Sequence, residues 1–151
     1  PYGVKVQGMD NLLINFARCC QPVPGDAISG FLTRGKGVTI HRSDCPNLPR
    51  LLSEPERRIE VEWDVPEGKR FLVGIRVMGE DRRNFLHDVT DAISNSDVNI
   101  LSGSLNVEDS IVSNSFLLEV RDSDHLVTIT RNLLKVKGVI TVDRFSGTSE
   151  A

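Results

Sequence analysis

The sequence predicts an α+β protein with two domains, of which the first is small and centred on cysteines and the second alternates strands with helices. All three cysteines and one of the three histidines lie within residues 17–48. From Phe71 onward, apolar residues recur first at strand spacing and then at helical spacing. Residues 65–69 have the turn chemistry of a linker. We therefore predict domains over residues 1–64 and 70–151.

The first domain is predicted to consist of short strands, because its apolar runs are brief and are separated by turn residues. The predicted strands are 4–6, 12–16, 28–33, 38–41 and 57–63. Arg34-Gly35-Lys36-Gly37 separates the third strand from the fourth and predicts a hairpin turn. Ser43 is predicted to cap a short helix that begins at Asp44 and carries Cys45 in its first turn.

The second domain is predicted to have the order β-α-β-β-α-β. Its strands are 71–77, 98–107, 112–120 and 139–145, and its helices are 85–93 after the N-cap Asn84 and a second one that Ser123 or Asp124 caps and Gly138 stops. This order is the split ferredoxin-like arrangement, in which helices cover one face of the sheet and the other face is open. His87 and His125 lie on the predicted helices and are expected at the surface.

The composition is that of an ordinary globular protein, with 39% hydrophobic residues, 26% charged residues and a net charge of −3. No apolar run approaches the length needed to cross a bilayer. The cysteines are odd in number, two are adjacent, and no signal peptide opens the chain, so we expect a cytoplasmic protein rather than a secreted disulfide framework. Because Pro1 and not Met comes first, we expect a piece of a longer protein.

Cys19, Cys20, His41 and Cys45 are candidate metal ligands, because thiolate and imidazole are donors that Zn²⁺ prefers. Adjacent cysteines are poorer chelators than Cys-x-x-Cys, since neighbouring side chains on an extended backbone point in opposite directions. We therefore favour no cofactor, with the cysteines buried as small apolar residues and His41 hydrogen-bonded within the turn, and keep zinc as the alternative. A catalytic thiol is not expected, because no acidic residue is evident to orient His41 as a base.

Basic residues are concentrated around the predicted hairpin. Residues 18–50 carry five basic and two acidic side chains, although the whole chain is acidic. Arg34 and Lys36 belong to the turn itself, and Arg42 follows the second strand of the hairpin. The pattern is compatible with a phosphate or RNA contact through these three residues, or with a solvated turn that serves only solubility.

Two sets of motifs carry a resemblance to known proteins. The segment Gly79-Glu80-Asp81-Arg82-Arg83-Asn84-Phe85-Leu86 and the helix after it resemble the start of an ACT domain, a ferredoxin-like module that senses amino acids; Asn84 stands where that family usually has Gly. Upstream stand Cys19-Cys20, Pro24-Gly25-Asp26, Gly35-Lys36-Gly37-Val38, His41 and Cys45-Pro46-Asn47. Together these motifs resemble the C-terminal end of the RelA/SpoT-type stringent-response factors, which make and break guanosine tetra- and pentaphosphate (ppGpp and pppGpp).

This resemblance implies a zinc-finger-like domain followed by an ACT domain, with a regulatory role. In that family the C-terminal end engages ribosomal RNA and restrains or releases catalytic domains that lie N-terminal to it. The parent would be a GTP pyrophosphokinase, a ppGpp hydrolase or both. The sequence shows no phosphate loop and no His-Asp pair of the metal-hydrolase type, so no catalytic residue and no enzyme activity are expected in this region.

The resemblance also implies an amino-acid site at the start of the first helix of the second domain. Its residues would be Asp81, Arg82, Arg83, Asn84, Phe85 and Leu86. The four polar residues would hold the amino and carboxylate groups, helped by exposed N–H groups at the helix start, and the two apolar residues would suit a branched side chain. An ACT domain of this kind would form a homodimer. The alternative is that these residues only cap the helix.

Overall fold

The computed structural model describes residues 3–7, 12–33, 35, 37–48 and 53–145. The chain forms two compact units, the first up to Lys69 and the second over Arg70–Phe145. No helix in these described ranges is long and apolar enough to cross a membrane.

Six short strands lie in the described part of the first unit. They are β1 (Val4–Val6), β2 (Leu13–Phe16), β3 (Ile28–Leu32), β4 (Gly37–Arg42), β5 (Arg58–Ile59) and β6 (Val61–Trp63). One sheet has the order β2-β4-β3-β5, and β1 pairs with β6 in a separate ribbon. β2 lies parallel to β4, whereas β3 is antiparallel to β4 and β5.

β3 and β4 form the predicted hairpin. Their pairing ends with Leu32 opposite Val38, and Thr33 donates its N–H to the carbonyl of Gly37 at 2.9 Å. The two basic residues of the turn, Arg34 and Lys36, lie outside the described residues.

Two local predictions for the first unit were wrong. The single strand predicted over residues 57–63 is two strands, because β5 pairs with β3 whereas β6 pairs with β1. Apolar alternation is the same in both pieces, so the pattern could not reveal a change of partner. Residues 43–47 form turns instead of the predicted helix: Cys45 donates its N–H to Arg42 and Leu48 donates its N–H to Cys45, each at 3.0 Å.

The second unit has the predicted β-α-β-β-α-β order. Its elements are β7 (Phe71–Glu80), α1 (Phe85–Ser94), β8 (Asn99–Glu108), β9 (Ile111–Val120), α2 (Ser123–Leu134) and β10 (Val139–Arg144). The sheet is antiparallel throughout, with the order β10-β7-β9-β8. Alternate residues of β7 and β9 are buried, and they complete a core with Phe85, Val89 and Ile93 of α1 and Leu126, Ile129 and Leu133 of α2.

The start of α2 differs from the prediction in two ways. Asp122, one residue before the predicted caps, is the N-cap, and its carboxylate accepts the N–H of His125 at 2.8 Å. His125 was predicted at the surface but is only 3% exposed. Its Nδ1 accepts the N–H of Arg121 at 3.1 Å, and its Nε2 donates to the carbonyl of Ser96 at 2.8 Å. The imidazole is buried because it satisfies two backbone groups that would otherwise lack partners.

Candidate functional site

Four candidate ligand side chains come together in the first unit. Cys19 and Cys20 lie in the turn after β2, and His41 is the second-last residue of β4. Cys45 lies three residues after the end of β4. Sγ of Cys19 is 3.5 Å from Nδ1 of His41 and 3.5 Å from Sγ of Cys45, and Sγ of Cys20 is 3.7 Å from the same Nδ1. One ligand atom from each of the four lies within 4.8 Å of the others. Because β2 and β4 are parallel neighbours, the residues that follow them emerge at the same end of the sheet.

The expectation that the adjacent cysteines point apart was wrong. Both thiols face the ring of His41, because residues 18–20 form a turn and not an extended strand. Gln21, which follows, has a φ of 45°, in the left-handed region. The N–H of Arg42 points at Sγ of Cys20 from 3.2 Å, a contact that holds the thiol in place.

Burial sets the protonation of the cluster in the absence of metal. Cys19, Cys20, His41 and Cys45 are each no more than 6% exposed. Burial raises the pKa of the Cys19 and Cys20 thiols, although a hydrogen bond from the Asn47 side chain opposes this rise at Cys19. Burial also lowers the pKa of His41. Burial therefore favours the neutral forms of Cys19, Cys20 and His41, and a cation that stabilised thiolates would change this balance.

The geometry of the cluster fits a structural Zn²⁺ ion. Zinc–sulfur bonds of about 2.3 Å and zinc–nitrogen bonds of about 2.0 Å give edges of roughly 3.5 to 3.8 Å in a regular tetrahedron. The three separations from Cys19 and Cys20 to their neighbours are 3.5, 3.5 and 3.7 Å. Three sulfurs and one nitrogen would fill the four positions of a closed structural site, leaving none for a substrate. The objection to zinc that the sequence raised does not hold in the structure.

In the second unit, Arg82 holds the loop between β7 and α1. Its Nε donates to the carbonyl of Lys137 at 2.8 Å, its Nη1 to the carbonyl of Arg83 at 2.8 Å, and its Nη2 to the carboxylate of Asp88 at 2.9 Å. The hydrogen bond from Arg82 lowers the pKa of Asp88, and His87 adds to this effect. In the structure, this guanidinium ties the loop to the helix that follows and to the turn before β10.

Asn84 keeps the backbone conformation for which glycine is suited. It is the predicted N-cap of α1, with φ 65° and ψ 14°, and its side chain makes no capping hydrogen bond. Asn enters this left-handed region more readily than most residues, so it can replace Gly there without changing the path of the loop.

The remaining residues of the predicted amino-acid site fall into two groups. Phe85 is 2% exposed, and a Cβ placed on Gly79 would lie 2.5 Å from its ring, so Phe85 anchors the loop in the core. Asp81, Arg83 and Leu86 are exposed. They and Asn84 are the members of the predicted set that a ligand could reach from solvent.

Of the predicted RNA-contacting residues, Arg42 is described, and it is linked to the cysteine cluster. Its Nη2 donates to the carboxylate of Asp44 at 2.8 Å, while its backbone N–H meets Cys20. Asn47, whose side chain opposes the rise in the pKa of Cys19, was named from the sequence as part of the Cys45-Pro46-Asn47 motif but not as a site residue. Its place two residues after Cys45 was the available signal, but many loops contain such an Asn.

Comparison with known proteins matches both units to described families. The RelA/SpoT RIS domain matches residues 4–64, and the ACT domain matches residues 67–144. A GTP pyrophosphokinase of Streptomyces coelicolor is 45% identical over 143 residues, which are 94% of this chain and 17% of that protein. The bifunctional (p)ppGpp synthase/hydrolase RelA of Mycobacterium tuberculosis is 43% identical over 143 residues, 94% of this chain and 19% of that protein.

Among solved structures, the ACT domain from the GTP pyrophosphokinase of Chlorobium tepidum shares 39% sequence identity with this chain. The match has a TM-score of 0.48 and covers 51% of this chain and 100% of that one. The chain spans less than a fifth of the length of the two curated relatives above. Since both domain families match in the same order and nearly the whole chain aligns with these relatives, the chain belongs to the RelA/SpoT family and corresponds to its RIS and ACT domain region.

Proposed function

We propose that this region reads the state of the ribosome through contacts with ribosomal RNA and thereby controls catalytic domains of a longer (p)ppGpp synthetase or hydrolase. The hairpin of β3 and β4 carries this proposal. One end of β4 is fixed by His41 and the buried cysteine cluster, and the other end enters the turn that contains Arg34 and Lys36. β3 and β4 are the two central strands of the four-stranded sheet, and basic residues in the connection between them suit a phosphate backbone.

The test is binding of the 151-residue chain to ribosomes at a series of salt concentrations. Reversing both charges of the turn, Arg34→Glu with Lys36→Glu, should weaken binding strongly at low salt and lower the salt slope by about two, one per phosphate contact. The matched control reverses Lys5 and Arg58, two exposed cations elsewhere in the first unit. Equal ribosome binding by the turn variant and the parent at every salt concentration would contradict the proposal.

A second candidate function is amino-acid sensing by the ACT domain. The left-handed Asn84 supports it, because the loop keeps the backbone path that a glycine would give at the start of α1. Valine or leucine at millimolar concentration should raise the melting temperature of the second unit, since a ligand that binds only the folded state stabilises it. Lysine is the control ligand, and Asp81→Ala should abolish the shift. No shift with either branched amino acid would contradict the sensor function.

The homodimer expected of the ACT domain is proposed at the edge strand β8. Every residue of β8 except Ile100 is exposed, and Leu101, Leu105 and Val107 are 45 to 49% exposed. A long exposed edge of this kind favours pairing with a second copy. Leu105→Lys with Val107→Lys should shift the chain to monomer in sedimentation velocity, and Leu72→Lys, which alters an equally exposed leucine of β7, should not. An unchanged dimer in the double variant would exclude this edge.

A further inference from the structure

A groove with a mostly apolar surface lies between α2 and β10. Its volume is about 720 Å³. Leu126, Val127 and Leu134 line it from the helix and Val142 lines it from the strand. Val127 and Leu134 are each 53% exposed, although they lie seven residues apart on one side of the helix. Two large apolar side chains in such a position indicate a surface that binds another molecule.

α2 has a second apolar face beside the one that enters the core. Leu126, Ile129 and Leu133 form the buried face. Val127, Thr130 and Leu134 follow at i, i+3 and i+7 and line the groove. A helix needs one apolar face to pack on its own sheet, so the second face has a role that the fold itself does not require.

β10 adds hydrogen-bonding capacity along the same groove. It is an end strand of the sheet and pairs only with β7 in the described part of the second unit. Phe145 donates its N–H to Gly74 of β7 at 2.8 Å. The N–H and C=O groups of successive residues point alternately to the two sides of a strand. Since those of Phe145 face β7, those of Val142, three residues earlier, point away from β7, while the Val142 side chain lines the groove. A strand added at this edge would place every second side chain against α2.

The charge of the groove indicates which kind of peptide segment could bind there. Arg131 and Lys135 line it, and neither takes part in an ion pair with another described residue. Arg144 also lines it, against a single acidic residue, Asp143. The lining is therefore basic within a chain whose net charge is −3. Acidic residues on the incoming segment would be attracted, and basic residues would be repelled.

We propose that the groove binds an extended, acidic segment of a partner protein, which adds to β10 as a fifth strand. Alternate apolar side chains of the segment contact Val127 and Leu134, and the acidic side chains between them face Arg131 and Lys135. Main-chain hydrogen bonds supply affinity, and the groove and its charge supply specificity.

The first experiment uses the 151-residue chain and three fluorescent octapeptides with blocked ends. One alternates valine with glutamate, one alternates valine with lysine, and one is the glutamate peptide with N-methyl groups on alternate residues. Saturable binding is expected for the glutamate peptide, at least tenfold tighter than for the other two, together with slower hydrogen exchange at the amide of Val142. The proposal is overturned by no saturable binding up to about 1 mM, or by equal binding of the N-methylated peptide.

The second experiment uses protein variants. Leu134→Glu should weaken binding of the glutamate peptide by about tenfold or more, whereas Leu72→Glu, a leucine 49% exposed on β7, should not. Lys135→Glu should weaken the glutamate peptide and improve the lysine peptide, and Lys137→Glu, outside the groove lining, is its control. Equal loss in Leu72→Glu would overturn the proposal. So would self-association of the parent chain that Leu134→Glu abolishes, because a second copy would then be the occupant.

Discussion

The two units of this chain are of similar length, but each is stabilised by a different kind of core. The described strands of the first unit are two to six residues long, and one of the two buried clusters among its described residues contains all three thiols. The second has three strands of ten residues, with apolar residues on one face of the sheet. A domain of about 60 residues with such short strands buries little apolar surface and commonly needs a metal or a cross-link. The second unit buries a larger set of apolar side chains, which come from β7, β9 and both helices.

Metal removal should therefore have the largest effect on stability, and it should destabilise the first unit but not the second. We expect the purified chain to hold one Zn²⁺, and chelation to unfold the first unit, because a structural metal contributes several kcal/mol to folding. Trp63, the single tryptophan, stacks on Phe16 at 5.8 Å and donates to the carbonyl of Asp26, so its fluorescence reports on the first unit alone. Elemental analysis with a chelator titration followed at Trp63 is the measurement.

Two further measurements make this prediction specific. Cys45→Ser should mimic chelation, whereas amide exchange in the ten-residue strands of the second unit should be unchanged in both cases. The alternative is a cluster of hydrogen-bonded thiols without metal. It would be supported if the chain contains no zinc after gentle purification and the fluorescence of Trp63 does not change when a chelator is added. In that case Cys45→Ser should cost far less stability, because Ser can replace a neutral thiol as a hydrogen-bonding group.

A cavity in the apolar core should destabilise the second unit and leave the first unit unchanged. Ile129 of α2 is fully buried, and Ile129→Ala should lower the unfolding free energy of that unit by about 2 to 5 kcal/mol, because it leaves a cavity. The denaturation midpoint read at Trp63 should not move. If both midpoints move together, the units unfold as one, and the contrast between their cores has no thermodynamic consequence.

The second unit was more predictable from sequence than the first, for a physical reason. Regular alternation in β7 and β9 reflects a sheet with one buried face, so strand order and helix positions could be read directly. In the first unit, residues 57–63 keep the same alternation while the chain changes from one sheet to another. The partner of a two-residue strand is decided by packing elsewhere, and no local pattern records it.

The candidate metal site was predicted in membership but not in geometry. Cys19, Cys20, His41 and Cys45 were singled out by residue type, and the structure brings all four together. Their convergence depends on a turn at residues 18–20 and on the parallel pairing of β2 with β4, which are tertiary features. The burial of His125 was missed for the same reason, since its role comes from the backbone of Ser96, distant in sequence.

Replacing His125 tests that role and should have an intermediate effect. His125→Phe fills the site but leaves the N–H of Arg121 and the carbonyl of Ser96 without their partner, which should cost about 1 to 3 kcal/mol in the second unit. His87→Phe is the matched control, because the His87 side chain is 76% exposed. Hydrogen exchange of the second unit measures both variants. A loss no greater than in the control would mean that solvent replaces the imidazole at no cost.

The smallest expected effect concerns Asn84, where backbone conformation and side-chain chemistry can be separated. With φ at 65°, Asn84→Ala should destabilise the second unit by about 1 kcal/mol, because a Cβ without a compensating polar group is disfavoured there. Asn84→Gly should change stability by less than about 0.5 kcal/mol, since Gly adopts this conformation freely but gains entropy when unfolded. Chemical denaturation followed by far-ultraviolet circular dichroism, with Trp63 as the internal reference, measures both. Equal losses for Ala and Gly would show that the amide side chain, and not the backbone angle, holds the start of α1.

The same substitution tests the amino-acid site. The rise in melting temperature with valine or leucine should persist in Asn84→Gly if only the path of the loop matters to the ligand, and its loss there would make Asn84 a contact residue.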